Sequence, residues 1–450
     1  MPIIRQESLF DMQVLYDLEP THRFNSILSG IDIHPILAVV TKKSRFGPPQ
    51  TLNYAAMTYA LIIRITERIP FIKDLIKRLE GDLRFKVDCG FLVSDEIPSE
   101  ASYSRMITLV SESDALEIVQ ERTLLLAMSE GFVSDETVAI DATHVEARDR
   151  APQKKESEAE RKPNKRGRKK KEEREQWLLE KAEAEANLPV YEKKIADQLE
   201  VPLLELRTSI PTHPEWGVKK NSEGKNVFWF GFKCHLAVGT DSQYILQSLF
   251  SSGSLNDGKA AIPLLKGVHE RLASLKIGYA TMDAGYDYAA VYEQVYRIGA
   301  HSIIAYNKKN EPEPIGFDAH FAPTCVREHS YRYDSFDKKH ETLKYTRPSQ
   351  CADCPLAHDS LCQKVYKVKI TKDLRKYTAP ARGSLKWKQL YKARSAVERV
   401  NAYLKGYFLL NQIYHRTGKK AKLHVDLVQL AYNASKLAID RLKALQVLAA

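Results

Sequence analysis

The sequence predicts an α/β fold in which a mixed sheet is flanked by helices, with an α-helical N-terminal domain before it and a cysteine-bearing subdomain inserted into it. Three observations carry that expectation. Short β-type runs alternate with helical runs from Glu136 to Asn307. The first 130 residues place apolar side chains at three- and four-residue steps with little β-branched alternation. Residues 308–382 form a stretch too long for an ordinary loop, and it holds four of the six cysteines.

Composition bounds the rest. At 450 residues and 44% hydrophobic content, the chain can bury a large core across two or three domains. Lys and Arg number 68 against 57 acidic residues, and the net charge of +11 favours a polyanion, above all nucleic acid, as partner. No apolar run reaches the roughly 18 residues a membrane helix needs. The opening MPIIRQESLFDMQ lacks the apolar run and cleavage site of a signal peptide. Six cysteines in this length fit a reducing compartment rather than a disulfide scaffold. A soluble, cytoplasmic protein is expected.

Taken in order, residues 1–130 read as helix, with LNYAAMTYALIIRITERI and ALEIVQERTLLLAMSEG the clearest runs. Between them IPSEASYSRM reads as a polar break, with Ser104 capping the helix after it. No base-reading motif stands out, so this domain serves either DNA binding or plain scaffolding. An α/β domain comes next, over 131–307. TVAIDATHVEA is a strand whose alternation puts Asp141, Thr143 and Val145 on one face and Ala142, His144 and Glu146 on the other. A charged insertion at 148–200, containing KPNKRGRKKKEEREQ and EKAEAEA, cannot pack a core of its own. It reads as a basic loop and then a polar helix running on through YEKKIADQLE.

The β pattern resumes with NVFWFGFKCHLAVGT, which pairs with SQYILQSLFSSGS across Thr240–Asp241 as an antiparallel hairpin. GKAAIPLLKGVHERLAS is helical, IGYATMDAGYD is a strand ending at Asp283, YAAVYEQVYRIG is helical and HSIIAYN is a strand. The insertion over 308–382 intervenes, and helices over 383–450 complete the domain. This order matches the ribonuclease H-like fold, with Asp141 on the first strand, Asp283 at the end of the fourth and Glu398 on a late helix.

That late helix, YKARSAVERVNAYLK, carries the most chemical information. On one continuous helix Tyr391, Arg394, Glu398 and Lys405 fall within about 60° of one another. Ala393, Val397, Val400 and Leu404 gather opposite. A carboxylate among cations suits a site that handles a metal ion and a polyanion together. Cleaving a phosphodiester with two divalent ions needs carboxylates from separate elements, and hard oxygen donors suit Mg2+ or Mn2+. Asp141, Asp283 and Glu398 are the candidates. Singly, each reads equally as a surface or capping residue; Asp283 could simply begin the turn DAGYD.

ATMDAGYD together with the Tyr391, Arg394, Glu398 and Lys405 spacing resembles the signature of bacterial insertion-sequence DDE transposases. Asp283, Gly285 and Tyr286 fit one motif of that family, Y-x2-R-x3-E-x6-K is matched at every position, and AIDATHVEA resembles the segment holding the first acid. The resemblance covers about residues 136–310 and 385–435. It implies metal-dependent cleavage at element ends and strand transfer into double-stranded target DNA. On that basis Asp141, Asp283 and Glu398 form the catalytic, Mg2+-binding triad, while Tyr391, Arg394 and Lys405 contact DNA phosphates. It also implies a homodimer on DNA and a nucleoid-associated location in a bacterium. The rival expectations are a metal-dependent nuclease that cuts without joining, and a domesticated DNA-binding protein without catalysis.

Two further signals stand apart from the triad. Cys351-x2-Cys354-x7-Cys362 offers three thiolates for a structural zinc ion, with Cys325, His340 or His358 as candidates for the fourth ligand. The other reading is three reduced cysteines in a small packed loop domain. In the basic run, Lys165, Arg166 and Arg168 resemble the Arg-Gly-Arg centre of an AT-hook without its following proline, and clustered cations gain DNA affinity whatever the sequence. Cys89 and Cys234 read as core residues. His144 reads as a satisfied structural histidine, and Trp229 as core.

Overall fold

A computed structural model describes residues 12–41, 51–152, 171–220, 223–312, 314–356 and 362–449. The helical region comprises α1 (Gln13–Tyr16), α2 (Pro20–Leu28), α3 (His34–Val40), α4 (Tyr54–Thr66), α5 (Ile72–Gly81), α6 (Leu83–Asp88), α7 (Glu100–Ser111) and α8 (Ala115–Ser129). It has no core to itself. Its apolar faces share one continuous cluster with the C-terminal helix α15 (Gly418–Ala449) and one face of the sheet, through residues such as Leu15, Ile62, Val119, Phe232, Val400 and Val428. One expectation fails here. Ser99, not Ser104, caps α7, accepting from Ser102 N–H at 3.3 Å, so most of IPSEASYSRM is helix rather than a break.

The central sheet has six strands: β1 (Thr137–Glu146), β2 (Glu215–Lys220), β3 (Asn226–Gly239), β4 (Ile245–Ser252), β5 (Tyr279–Met282) and β6 (His301–Ile304). Its main order is β2-β3-β1-β5-β6, with β4 also pairing β3. β1 runs antiparallel to β3 and parallel to β5, and β5 runs parallel to β6, so the sheet is mixed. The hairpin expected across Thr240–Asp241 is the β3–β4 pair. β2 was not foreseen. It pairs with the first part of β3, Asn226–Gly231, while β4 pairs with Phe232–Val238. Asp283 therefore closes the fifth strand rather than the fourth.

Helices α11 (Asp257–Arg271) and α12 (Ala289–Arg297) cover the other face, packing Leu264, Leu265, Val291 and Val295 against Val138, Ile140 and Ala280. The polar helix α9 (Lys171–Ala186) stops well short of the predicted YEKKIADQLE. Pro189 disfavours helix in the residue before it. Past that point Val190, Ile195, Leu199 and Leu206 build a small cluster on Ile262 of α11 and Ala290 of α12, which includes the short helix α10 (Leu203–Thr208). The end of the charged insertion is thus anchored. Between Asn307 and Arg382 the chain forms a separate three-stranded sheet, β7 (Arg332–Asp337), β8 (Thr342–Thr346) and β9 (Val365–Lys369), in the order β7-β8-β9. Among the described residues, no helix is long and apolar enough to cross a membrane.

The stretch predicted as one helix over Tyr391–Lys405 is two: α13 (Leu385–Lys392) and α14 (Ser395–Tyr407). Arg394 N–H bonds to Tyr391 O and Val397 N–H to Arg394 O, so three-residue steps replace four-residue ones across the junction. Arg394 keeps helical dihedrals, φ −53° and ψ −29°, and the chain tightens there without turning away. Tyr391 consequently belongs to a different helix from Glu398 and Lys405.

Candidate active site

Asp141 sits in the middle of β1, opposite Leu236 of β3, and lines a cavity of about 300 Å³. Glu398 and Lys405, from α14, line the same cavity. The packing that puts them there is the apolar stripe of α14: Ala396, Val397, Val400 and Leu404 are fully buried, so the opposite stripe faces the end of β1. Asp283 stands immediately after β5, where its Oδ1 accepts from Gly285 N–H at 2.8 Å and caps a single tight turn. β1 and β5 are adjacent and parallel, so Asp141 and Asp283 fall on neighbouring strands.

The carboxylates feel one another. Burial first, then the charges of Asp283 and Asp257, push the Asp141 carboxyl up to about 7, against the lowering influence of the Ala142 N–H and Arg394. Burial likewise raises Asp283, helped by Asp257 and Glu398 and opposed by the Gly285 N–H and Arg394. Partly buried carboxylates that raise one another suit a hard divalent cation. Glu398 is held by a neighbouring cation. Its side chain is half exposed and accepts from Arg394 Nη2 at 2.9 Å. Among the described residues, no three His, Cys, Asp or Glu side chains close on a common point as metal ligands do. The donor chemistry of Asp141, Asp283 and Glu398 fits Mg2+ or Mn2+.

Arg394 reaches the acids electrostatically and stands 5.7 Å from the centre of the Tyr391 ring. Tyr391 stacks on Trp387 at 5.1 Å with 10° between the rings, and it is absent from the cavity wall. The His144 ring lies 5.2 Å from that of Trp229, tilted by 50°, and accepts from Lys219 Nζ at 3.1 Å. Burial, with Lys405 and Lys219 nearby, holds its imidazole down to about 4, and although strand alternation puts it on the face opposite Asp141, it lines the same cavity. Trp229 is core, only 6% exposed, yet its ring forms part of the cavity wall. Gly217 makes room for it, since a Cβ there would come within 2.2 Å of the indole. Lys165, Arg166 and Arg168 lie outside the described residues, as does His358.

Sequence reasoning missed three residues. Asp257 opens α11 and faces the cavity, with its Oδ1 bonded to Lys233 Nζ at 2.8 Å and 3.9 Å from His235 Nδ1. In sequence it reads only as a first-turn acid. Lys233 also lines the cavity and is fixed by Leu255 O at 2.8 Å. Asn401 is 8% exposed, points Nδ2 at Asp141 Oδ2 over 3.5 Å, and keeps Oδ1 buried without a hydrogen-bond partner. Its place three residues after Glu398, on the same helical face, was the signal available for finding it.

A mixed sheet flanked by helices, with acids gathered where β1 and β5 adjoin, defines a ribonuclease H-like domain. Residues 207–434, just over half of the chain, match the family described as Transposase DDE domain, and the chain belongs to that family. Residues 13–109 match a second family, Transposase domain (DUF772), which falls on the helical region. Comparison with curated proteins gave no match.

Proposed function

We propose that this chain is an active insertion-sequence transposase that cuts DNA at the ends of its element and joins those ends to target DNA. The observation that carries the reading is Asp141, its carboxyl raised by burial and by the charge of Asp283 after the neighbouring strand, lining with Glu398 and Asp257 a cavity walled by lysines in a DDE-family chain. Asp141, Asp283 and Glu398 would hold the divalent ions, and Glu398 would give up its bond to Arg394 to do so. When bound, such ions activate the attacking oxygen and stabilise the leaving one. Asn401 orients the Asp141 carboxylate through its amide. Lys219 and Lys405 take the phosphates that approach the cavity, and Arg394, once released by Glu398, pairs with a phosphate beside the scissile bond. Asp257 keeps Lys233 pointed along the same wall. The basic run with Lys165, Arg166 and Arg168 adds affinity for DNA of any sequence. Bringing two element ends together makes a homodimer on DNA the working form.

The test is incubation of the purified chain with Mg2+ and DNA carrying the ends of its own element. Cut ends together with joined products are the expected result. Cleavage without joining would make the protein a nuclease, and binding without cleavage would make it a non-catalytic DNA-binding protein.

A further inference from the structure

The sheet β7-β8-β9 has two ends, and they differ in chemistry. Its register aligns Arg332 with Thr346 and Thr346 with Val365 at one end, and Asp337 with Thr342 and Thr342 with Lys369 at the other. Cys325 precedes the first row by one tight turn, Cys351 and Cys354 follow Thr346, and Cys362 precedes Val365. All four thiol-bearing segments therefore emerge from the same end. His340 lies in the turn at the opposite end, donating its N–H to Asp337 Oδ1. Five strand residues, about 17 Å, separate the two ends.

Cross-links within the thiol end bear out the convergence. The turn after Cys325 is closed by Glu328 N–H to Cys325 O at 2.8 Å and Cys325 N–H to His329 O at 2.9 Å, with Glu328 in the left-handed region at φ +60°. Arg327, on that turn, brings Nη1 to 4.0 Å from Cys354 Sγ. Arg347 Nη2 donates to Cys362 O and Tyr331 OH to Gln363 O, each at 2.8 Å. Cys354 N–H approaches Cys351 O at 3.4 Å, the tight turn a C-x2-C pair needs to present both sulfurs to one side. No cysteine is paired in a disulfide.

Apolar packing reaches this end only in part: Tyr331 and Cys325 join the subdomain's buried cluster, while Cys351, Cys354 and Cys362 do not. The buried cluster of the subdomain, Leu343, Tyr345, Val368, Ile370 and their neighbours, lies within and beside the sheet. Val326 is 74% exposed and Val365 40% exposed at the thiol end. We propose that Cys325, Cys351, Cys354 and Cys362 bind one structural zinc ion that closes this end of the sheet, with Cys325 and not His340 as the fourth ligand. Four thiolates around Zn2+ carry a net charge of −2, and Arg327 and Arg347 stand beside them to offset it. The four sulfurs, all among the described residues, do not close on a common point, so they would have to draw together on binding, as is usual where metal binding and folding are coupled. The proposal is independent of the catalytic reading.

The test uses the full chain, purified from cells without chelator, with zinc measured by elemental analysis and by a chromogenic indicator as the thiols are titrated with a mercurial. One zinc per chain is expected, released as the thiols react. Cys325→Ser should lose most of the zinc, and His340→Ala should retain it. Zinc-free protein with four freely reacting thiols would overturn the proposal, as would loss of zinc in His340→Ala alongside its retention in Cys325→Ser. Should Cys325→Ser fail to fold, Co2+ substitution of the wild-type chain decides. A four-thiolate tetrahedral spectrum supports the site, and a spectrum with a nitrogen ligand contradicts it.

Discussion

Arg394 and Lys405 both feel the charge of Asp141, from the two ends of α14. Arg394 is at its start beside Glu398, and Lys405 is two turns on, where the Asp141 charge reaches it. Burial and the nearby Lys219 lower the Lys405 ammonium, which marks a cation held in a pocket without enough negative charge to satisfy it. On the proposed function, a DNA phosphate would supply that charge. Replacing either residue by Ala should remove about one phosphate contact and flatten the salt dependence of DNA affinity by roughly one unit of slope. A salt titration of binding beside a thermal melt checks this; an unchanged slope with a lowered melting temperature would make both residues structural. Spacing alone singled out Arg394 and Lys405 because charged positions repeat at helical intervals. Asp257 and Lys233 were illegible for the opposite reason. They come to the cavity from α11 and β3, and only the tertiary fold joins them.

At the scale of elements, a buried charge cluster ties three helices together. Glu117 of α8 accepts from Lys422 of α15 at 2.8 Å and from Arg207 of α10 at 2.7 Å, while Lys422 also bonds Asp426 at 2.6 Å. Burial alone would raise the Glu117 carboxyl, but Lys422 and Arg207 outweigh it and hold it at about 2, below its ordinary 4.5. Its folded value lies below its unfolded one, so its contribution is present above about pH 4.5 and is lost as pH falls towards 2. That gap corresponds to about 3 kcal/mol at neutral pH. Glu117→Gln should therefore lower the melting temperature at pH 7, with the deficit shrinking as pH falls below 4.5. Melts from pH 7 down to the lowest pH at which the chain stays soluble check it, and a deficit independent of pH would contradict it. The hairpin β3–β4 and helices α11 and α12 were legible because local alternation and helical periodicity agree with the burial they receive. The break between α13 and α14 was not, since Ala393 and Arg394 are good helix formers and only i→i+3 hydrogen bonding separates the two helices. β2 was invisible as well. EWGVKK has too few apolar residues to announce a strand, and it is one because β3 extends past β4 to meet it.

On the scale of the molecule, the sheet brings together acids far apart in sequence. Asp141 on β1 and Asp283 after β5 are neighbours because β1 and β5 pair in parallel, and α14 brings Glu398 to the cavity that Asp141 lines. The helical region does not stand apart from this arrangement, since its core is continuous with α15 and the sheet beneath α14. Everything proposed for the site depends on Asp141 holding an ion for phosphodiester chemistry rather than a structural bond. The most direct measurement is Mg2+-dependent cleavage of end-containing DNA by Asp141→Asn, with affinity for the same DNA measured alongside. Charge stabilisation by a metal is worth several kcal/mol, so cleavage should fall about a thousandfold, while affinity, set by the lysines and arginines, stays within about threefold of wild type. Wild-type cleavage by Asp141→Asn, still dependent on Mg2+, would contradict the account.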